Sequence, residues 1–339
     1  MTAAKLQHIP QLVRQQYVAA IEAGDAFFFE SDVRIVRGQN VQRPVPWQIR
    51  IVPALLKKPK APVSAEEEVR PKQNQVDVFA PPYVPNLLVK ELDDFTVLLN
   101  KYCVLPHHYL LVTRDFVSQE KPPSPSMLAL VYSMITSHTP SSDGAELLGF
   151  FNCGPNSGAS QPHCHFQLVE LTPSENATKA VPIEHMLDTQ SAPDEDKEEI
   201  LGLAVPWRHF VARLEPPSDP EKLENYFGKR FSHLLEAMFS LALEKNDENK
   251  GRPNFNVLLT RHFMHLIPRR NETFDMKEAG WEEYGPGGHP PKYTGRLSIN
   301  ALGYAGLLLT RHASELDALY ASSNDERIVQ VLTHTGVPL

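Results

Sequence analysis

Residues 163–169 read His-Cys-His-Phe-Gln-Leu-Val. On an extended strand, where side chains alternate, His163, His165 and Gln167 share one face while Cys164, Phe166 and Leu168 take the other. One face is then polar and reactive, the other apolar. The strand is fed by Asn152-Cys153-Gly154-Pro155-Asn156-Ser157-Gly158-Ala159-Ser160-Gln161-Pro162. The glycines of this loop permit close backbone approach, and its Asn, Ser and Gln side chains donate hydrogen bonds without carrying charge. That composition suits phosphate oxygens. Imidazole is a competent nucleophile near neutral pH, and its attack on phosphorus gives a phosphoramidate stable enough to exist and labile enough to turn over. Gln167 can hold a phosphate oxygen but cannot act as an acid, which favours transfer to a chosen acceptor over rapid hydrolysis.

Spacing alone leaves three readings of the histidine pair open: nucleophile, metal ligands, or structural side chains. His163, His165 and Glu170 resemble a cupin metal motif, which would make the chain a metal-dependent oxygenase. The glycine spacing before His163 is one short of that motif, however, and no second cupin motif follows.

The elements that must position these residues can be read from periodicity and punctuation. Helical spacing predicts helices over residues 6–23, 124–137 and 226–245, the second opened by the serine cap Ser124. Strands are predicted at 47–52, 76–79, 87–92, 109–113, 147–152, 163–171, 256–260, 263–268 and 307–310. Many short strands with a few long helices point to an α+β fold built on antiparallel sheets. The prolines and charges of 59–85 mark an exposed loop or linker, and the polar run 188–199 a solvated face.

The 339 residues are long enough for one large domain or two modest ones, and 42% of them are hydrophobic, enough for a packed core. The 33 basic against 41 acidic residues give a net charge of -8, which argues against broad capture of nucleic acid or of an anionic membrane. Cys103, Cys153 and Cys164 form no Cys-x-x-Cys pair, so neither a disulfide framework nor a thiolate zinc site is expected. With no signal-like start and no long uncharged apolar run, the chain reads as a cytoplasmic protein, with the nucleus as the other compartment open to it.

His163-Cys164-His165-Phe166-Gln167 resembles the His-x-His-x-Gln signature of the nucleotidyltransferase branch of the histidine triad superfamily, the branch that contains galactose-1-phosphate uridylyltransferase. The likeness extends to other blocks. Asn100-Lys101-Tyr102, Pro106-His107 and Leu110-Leu111-Val112-Thr113 are similar to segments of the fungal diadenosine tetraphosphate phosphorylases, also called ATP adenylyltransferases. So are Leu55-Leu56-Lys57-Lys58-Pro59, Asn256-Val257-Leu258-Leu259-Thr260, Ile267-Pro268-Arg269 and Asn300-Ala301-Leu302-Gly303-Tyr304-Ala305-Gly306. The blocks stand in family order from about residue 47 to 311.

What the resemblance implies is an α+β fold of two histidine-triad-like half-sheets with flanking helices. Residues 1–185 would be the catalytic part and 186–339 the part completing the nucleotide pocket, within one compact unit. It implies phosphorolysis: diadenosine tetraphosphate plus phosphate gives ATP plus ADP through an adenylyl group on His165, with His163 and Gln167 beside it. Family binding positions map onto Lys58, Asn100, Lys101, Asn152, Ser160, Gln161, Gln167, Asn300 and Arg311, with backbone or apolar contacts from Gly158, Ala159, Ala301, Leu302 and Leu307. No tightly bound cofactor is implied; a divalent cation, magnesium or manganese, would arrive with the nucleotide. Adenosine phosphosulfate is a further plausible donor, and a nucleotide-binding sensor using the same pocket is the alternative from another functional class. The sequence departs from the family at Arg311, where Lys is expected, at Leu307, where Met is usual, and at 281–293, a Gly- and Pro-rich insertion. His107, His108, His262 and His265 read as structural or surface histidines.

Overall fold

The structure, a computed structural model, describes residues 8–28, 30, 32–38, 44–52, 77–138, 144–174, 177–189, 199–244, 254–281, 295–321 and 324–339, with only the backbone of 241–244. Its centre is a nine-stranded sheet. In spatial order it comprises β10 (Ile200–Gly202), β11 (Phe210–Arg213), β13 (Phe263–Pro268), β12 (Phe255–Leu259), β8 (Glu146–Cys153), β9 (His165–Leu171), β7 (Tyr109–Thr113), β5 (Phe95–Leu99) and β4 (Leu88–Glu91). Every neighbouring pair in it is antiparallel. The expected half-sheets therefore join edge to edge, through β8 and β12, with Asn152 opposite Asn256.

The remaining strands form small sheets. β1 (Phe27–Phe28) pairs with β6 (Tyr102–Cys103), β14 (Thr273–Asp275) with β15 (Arg296–Ser298), and β3 (Pro46–Ile51) lies between β2 (Val33–Arg37) and β16 (Leu307–Thr310). Three long helices, α1 (Ile9–Ala23), α2 (Pro125–Ser137) and α3 (Leu223–Glu244), meet the predicted positions. Ser124 Oγ accepts from Met127 N at 3.1 Å and caps α2, while Gly24 closes α1 in the left-handed conformation that glycine tolerates. Three shorter helices, α4 (Ala301–Ala305), α5 (Ala313–Tyr320) and α6 (Glu326–Thr335), follow late in the chain.

The period-two pattern sorts the large sheet into two faces. Phe166 and Leu168 of β9, Phe151 of β8, Val257 of β12 and Leu111 of β7 pack in one apolar cluster with Ile9, Val13, Met127, Val131, Phe227 and Leu234 of the long helices. Val169, Phe150 and Leu258 turn to the other face and pack with Trp47, Trp207, Tyr304, Leu308, Leu332 and the rest of a second cluster. Only toward β7 and β5 does that second face carry a smaller apolar group, Leu98, Leu110 and Val112, against which Phe79 and Tyr83 pack. Gln167 stands opposite Leu110 and Phe150, between these two apolar groups.

One expectation is corrected. Residues 77–79 are not a strand: the Asp77 carboxylate accepts from Phe79 N at 3.0 Å and the Asp77 carbonyl from Ala80 N at 3.2 Å, a local turn of the kind short carboxylates favour. The segment 77–85 is largely the exposed loop expected there, with Val78, Pro81, Pro82, Val84 and Pro85 exposed, while Phe79 and Tyr83 pack onto the sheet. Residues 59–76, most of the 188–199 polar run and 282–293 of the insertion lie outside the described residues.

On the second face His265 Nδ1 meets His209 Nε2 at 3.0 Å, and Glu184 Oε1 lies 3.4 Å from His265 Nε2. All three side chains are buried. Burial, followed by the neighbouring His265, pushes His209 well below the ordinary imidazole value of 6.5. The folded chain therefore keeps His209 neutral where the unfolded chain is protonated, so the stability this group contributes above pH 6.5 is lost as the pH falls below it. Urea denaturation at stepped pH should show a loss approaching about 1.4 kcal/mol per pH unit from this proton, and His209→Asn should flatten that slope.

Candidate functional site

The paired register between β8 and β9 ends at Phe150 and Gln167. Beyond it the strands part: β8 continues along β12 to Cys153, and β9 begins at His165 along β7. The site lies in this opening.

His165 is buried, and its Nδ1 lies 2.8 Å from the carbonyl oxygen of His163. A carbonyl only accepts, so Nδ1 carries the hydrogen and the neutral ring holds its lone pair on Nε2. His163 is arranged differently. Asp77 Oδ2 lies 2.8 Å from its Nδ1, while the Thr113 carbonyl at 2.8 Å, Thr113 Oγ1 at 3.0 Å and the Asp115 carbonyl at 3.2 Å surround its Nε2. Both nitrogens of His163 are thus engaged, and what it contributes to the site is its backbone carbonyl. The Phe79 ring stands 5.0 Å from that of His165 and 6.2 Å from that of His163, and Phe116, 60% exposed, stands 5.3 Å from His163.

Gln167 is fixed from its far end. His108 Nε2 lies 3.1 Å from Gln167 Oε1, and Asn100 Nδ2 lies 3.2 Å from His108 Nδ1. An amide oxygen accepts and an amide nitrogen donates, so hydrogen-bond direction runs from Asn100 through His108 to Gln167 and leaves the Gln167 NH₂ as a donor, on the strand face that Gln167 shares with His165. His108 is therefore no bystander: it links two of the expected binding residues.

On the other side of the opening, Asn152 is 1% exposed. Its Oδ1 accepts from Asn256 Nδ2 at 2.8 Å and from Ala301 N at 3.0 Å, while its Nδ2 is buried with no hydrogen-bond partner among the described residues. A buried donor left unpaired costs about 1–3 kcal/mol, so this atom is suited to an acceptor brought by a ligand. Gly158 closes the same corner. Its φ of 82° is left-handed, and a Cβ there would stand 2.7 Å from the Ile299 carbonyl and 2.9 Å from Asn300 Cα. Asn300 caps α4 by accepting from Leu302 N at 3.0 Å. Asn152, Gly158, Asn300 and Ala301 are thereby brought together.

The other expected residues are less central in this state. Ala159 and Gln161 are half-buried and Ser160 and Lys101 exposed; Leu302 and Leu307 lie wholly within the core. Arg311, past the end of β16, is half-buried, with its N–H donating to Glu315 Oε2 at 2.7 Å. Lys58 lies outside the described residues.

The cupin set does not assemble. Glu170 is an odd number of residues from both histidines and turns to the helical face, where Arg14 and His107 each reach it at 3.1 Å. Cys164 is equally set aside, since burial pushes its thiol up to about 12, as it does those of Cys103 and Cys153. The described residues contain no His, Cys, Asp and Glu group able to hold a metal ion, and no described helix is long and apolar enough to cross a membrane.

Beyond His108, reading the sequence missed Gln119, Asp77, Phe79 and Asn256. Gln119 lies in a turn that carries no periodic signal. Asp77 and Phe79 fall inside a proline-rich stretch. Asn256 shows itself only through its cross-strand pairing with Asn152.

Residues 2–189 match the family model for the Ap4A phosphorylase N-terminal domain, and 203–338 match that for the ATP adenylyltransferase C-terminal domain. The chain is 25% identical over 324 residues to diadenosine 5',5'''-P1,P4-tetraphosphate phosphorylase 2 of Saccharomyces cerevisiae, covering 92% of this chain and 90% of that one. It is 22% identical over 335 residues to Protein APA1 of the same yeast, covering 97% and 94%. The crystal structure of yeast Ap4A phosphorylase Apa2 in complex with Ap4A has the same fold, with a TM-score of 0.71 at 23% identity over 97% of each chain.

The Gly158 corner makes its own prediction. Gly158→Ala places a Cβ against backbone in a left-handed conformation, so it should destabilise the chain by about 1–3 kcal/mol, read as a lower urea midpoint at unchanged slope. Gly202→Ala, where a Cβ meets nothing within 4 Å, serves as the tolerated control.

Proposed function

The chain belongs to the Ap4A phosphorylase family, and from that membership we propose that it phosphorolyses diadenosine tetraphosphate to ATP and ADP through an adenylyl group carried on His165. The observation that carries this reading is the ring of His165, whose Nδ1 is tied to the His163 carbonyl, on the same face of β9 as a Gln167 held by His108.

The reaction runs as two displacements. His165 Nε2 attacks an α-phosphorus of the dinucleotide, a P–N bond forms, and the P–O bond to the rest of the phosphate chain breaks to release ATP. Inorganic phosphate then attacks the same phosphorus, the P–N bond breaks, and ADP leaves. ATP departs as a phosphate anion of low basicity, so no acid is needed at position 167. Gln167 instead offers its NH₂ to a non-bridging oxygen as charge grows there. Nδ1–H donates to the carbonyl throughout and disperses the positive charge the ring gains on attack.

Asn152 Nδ2, Ser160, Gln161 and the backbone at Gly158 and Ala159 hold phosphate or ribose oxygens in this reading. Asn300, Ala301 and Arg311 border the nucleoside from the second half, with Leu302 and Leu307 backing them from the core. Lys58, Lys101 and Arg311 supply positive charge, and a magnesium or manganese ion arriving with the nucleotide offsets what remains. Adenosine phosphosulfate has the same adenylyl group and a good leaving anion, and enters as a second donor. The site calls for no nucleic acid and no membrane, and the reaction is one of cytoplasmic nucleotide metabolism.

Intact-protein mass measurement tests the central step. Brief mixing with diadenosine tetraphosphate in the absence of phosphate should add one adenylyl group to the wild type and none to His165→Asn, and phosphate should discharge the adduct as ADP. Hydrolysis without an adduct would end the proposal. Gln167→Glu replaces a donor with a carboxylate facing the phosphate; kcat should fall by about 10²-fold or more, measured by release of ATP.

A further inference from the structure

We propose that Gln119 is a positioning residue for the adenylyl transfer: its side-chain amide takes the place of a peptide unit between β8 and β9 and sets the width of the opening in which the nucleophile works. The inference rests on the reading of His165 as nucleophile.

In the β8–β9 ladder, paired residue numbers sum to a constant, as Phe150 with Gln167 and Gly149 with Leu168 illustrate. Continuing that register would put Asn152 opposite His165, with the Asn152 carbonyl and the His165 N–H as the next bonding partners. The Gln119 amide lies between those two groups. Its Oε1 accepts from His165 N at 2.7 Å, and its Nε2 donates to the Asn152 carbonyl at 2.7 Å and, more weakly, toward the His165 carbonyl at 3.4 Å. One planar amide thus stands in for the bond between the His165 N–H and the Asn152 carbonyl, one of the two that this pair would otherwise exchange. Asn152 and His165 are held apart by the width of that amide.

The wedge is itself anchored. Gln119 N donates to the Pro162 carbonyl at 2.8 Å, Cys164 N to the Val117 carbonyl at 2.7 Å, and Ser118 pairs with His163 in an isolated bridge. The side chain is 3% exposed. Asn152 cannot turn to compensate for a change in spacing, because its Oδ1 is already held by Asn256 and Ala301. Gln119 therefore governs the separation of the Asn152 NH₂ from the His165 ring without facing the substrate.

Single-turnover formation of the adenylyl adduct, followed by mass across diadenosine tetraphosphate concentrations, separates rate from binding. Gln119→Met keeps length without hydrogen bonds; it should slow adduct formation by about 10²-fold, the cost of a displacement near 1 Å, with the half-saturating concentration within about threefold of wild type. Gln119→Glu gives a pH signature. The protonated acid reproduces both hydrogen bonds of the amide, and the carboxylate loses the one to Asn152, so the variant's rate relative to wild type should fall as the pH rises. A wild-type rate in Gln119→Met, or a ratio for Gln119→Glu that does not vary with pH, overturns the inference. Should Gln119→Met fail to fold, the Gln119→Glu ratio decides alone. Failure of the wild type to form any adduct would instead sink the reading of His165, whatever Gln119 does.

Discussion

The hydrogen bond from His165 Nδ1 to the carbonyl of His163 is only as fixed as the backbone that carries that carbonyl, and most of the site is arranged to hold it. Asp77 and the carbonyls of Thr113 and Asp115 grip the His163 ring from both edges, while Cys164 is tied to Val117 and Thr113 through its own backbone. A nucleophile whose lone pair must meet phosphorus in line gains more from such fixed orientation than from added reactivity. His163 and His165, identical in type and two residues apart, are separated in role by what their nitrogens touch.

The same opening depends on the far half of the chain. Asn152 is oriented by Asn256 across the β8–β12 junction, and Asn256 Oδ1 in turn accepts from Arg269 Nη1 at 2.6 Å. Arg269 is buried, and its guanidinium also donates to the carbonyls of Ser157, Asn271, Ile299 and Thr335. Burial lowers its pKa, yet five oxygens and the Tyr304 ring, 5.0 Å away, surround the charge. A buried cation is tolerable only when its donors are so satisfied. The residues it satisfies are those that shape the loop at 154–158 and present Asn300, so the sheet junction, the glycine loop and the helix cap are tied to one side chain.

The alternation of β9 was legible in the sequence because period two is a local property, and it led directly to the partition of His165 and Gln167 from Phe166 and Leu168. The three long helices were legible for the same reason, from spacing and caps. Strand β5, Phe-Thr-Val-Leu-Leu and buried throughout, has too little alternation to reveal it, and β10, β14 and β15, of three residues each, are too short to carry a period. The wedge at Gln119 was beyond reach for a different cause. Its significance lies in the register at which two strands, distant from it in sequence, stop pairing. His108 was passed over because nothing local distinguishes it from its neighbour His107, whose ring turns away to Glu170.

The described heart of the site is built from neutral donors: the Gln167 and Asn152 amides and the backbone of the glycine loop, in a chain whose net charge is -8. For a substrate bearing several phosphates this is a weak means of neutralising charge but a good means of orienting oxygens, since amides contribute direction without a strong Coulomb well. In the proposed reaction the charge would come from the periphery, through Lys58, Lys101, Arg311 and an accompanying cation. The division has a chemical consequence. In the proposed reaction a central acid would hasten capture of the adenylyl group by water, whereas the neutral Gln167 amide would leave the phosphoramidate waiting for an acceptor that is already an anion and needs no proton removed before it attacks.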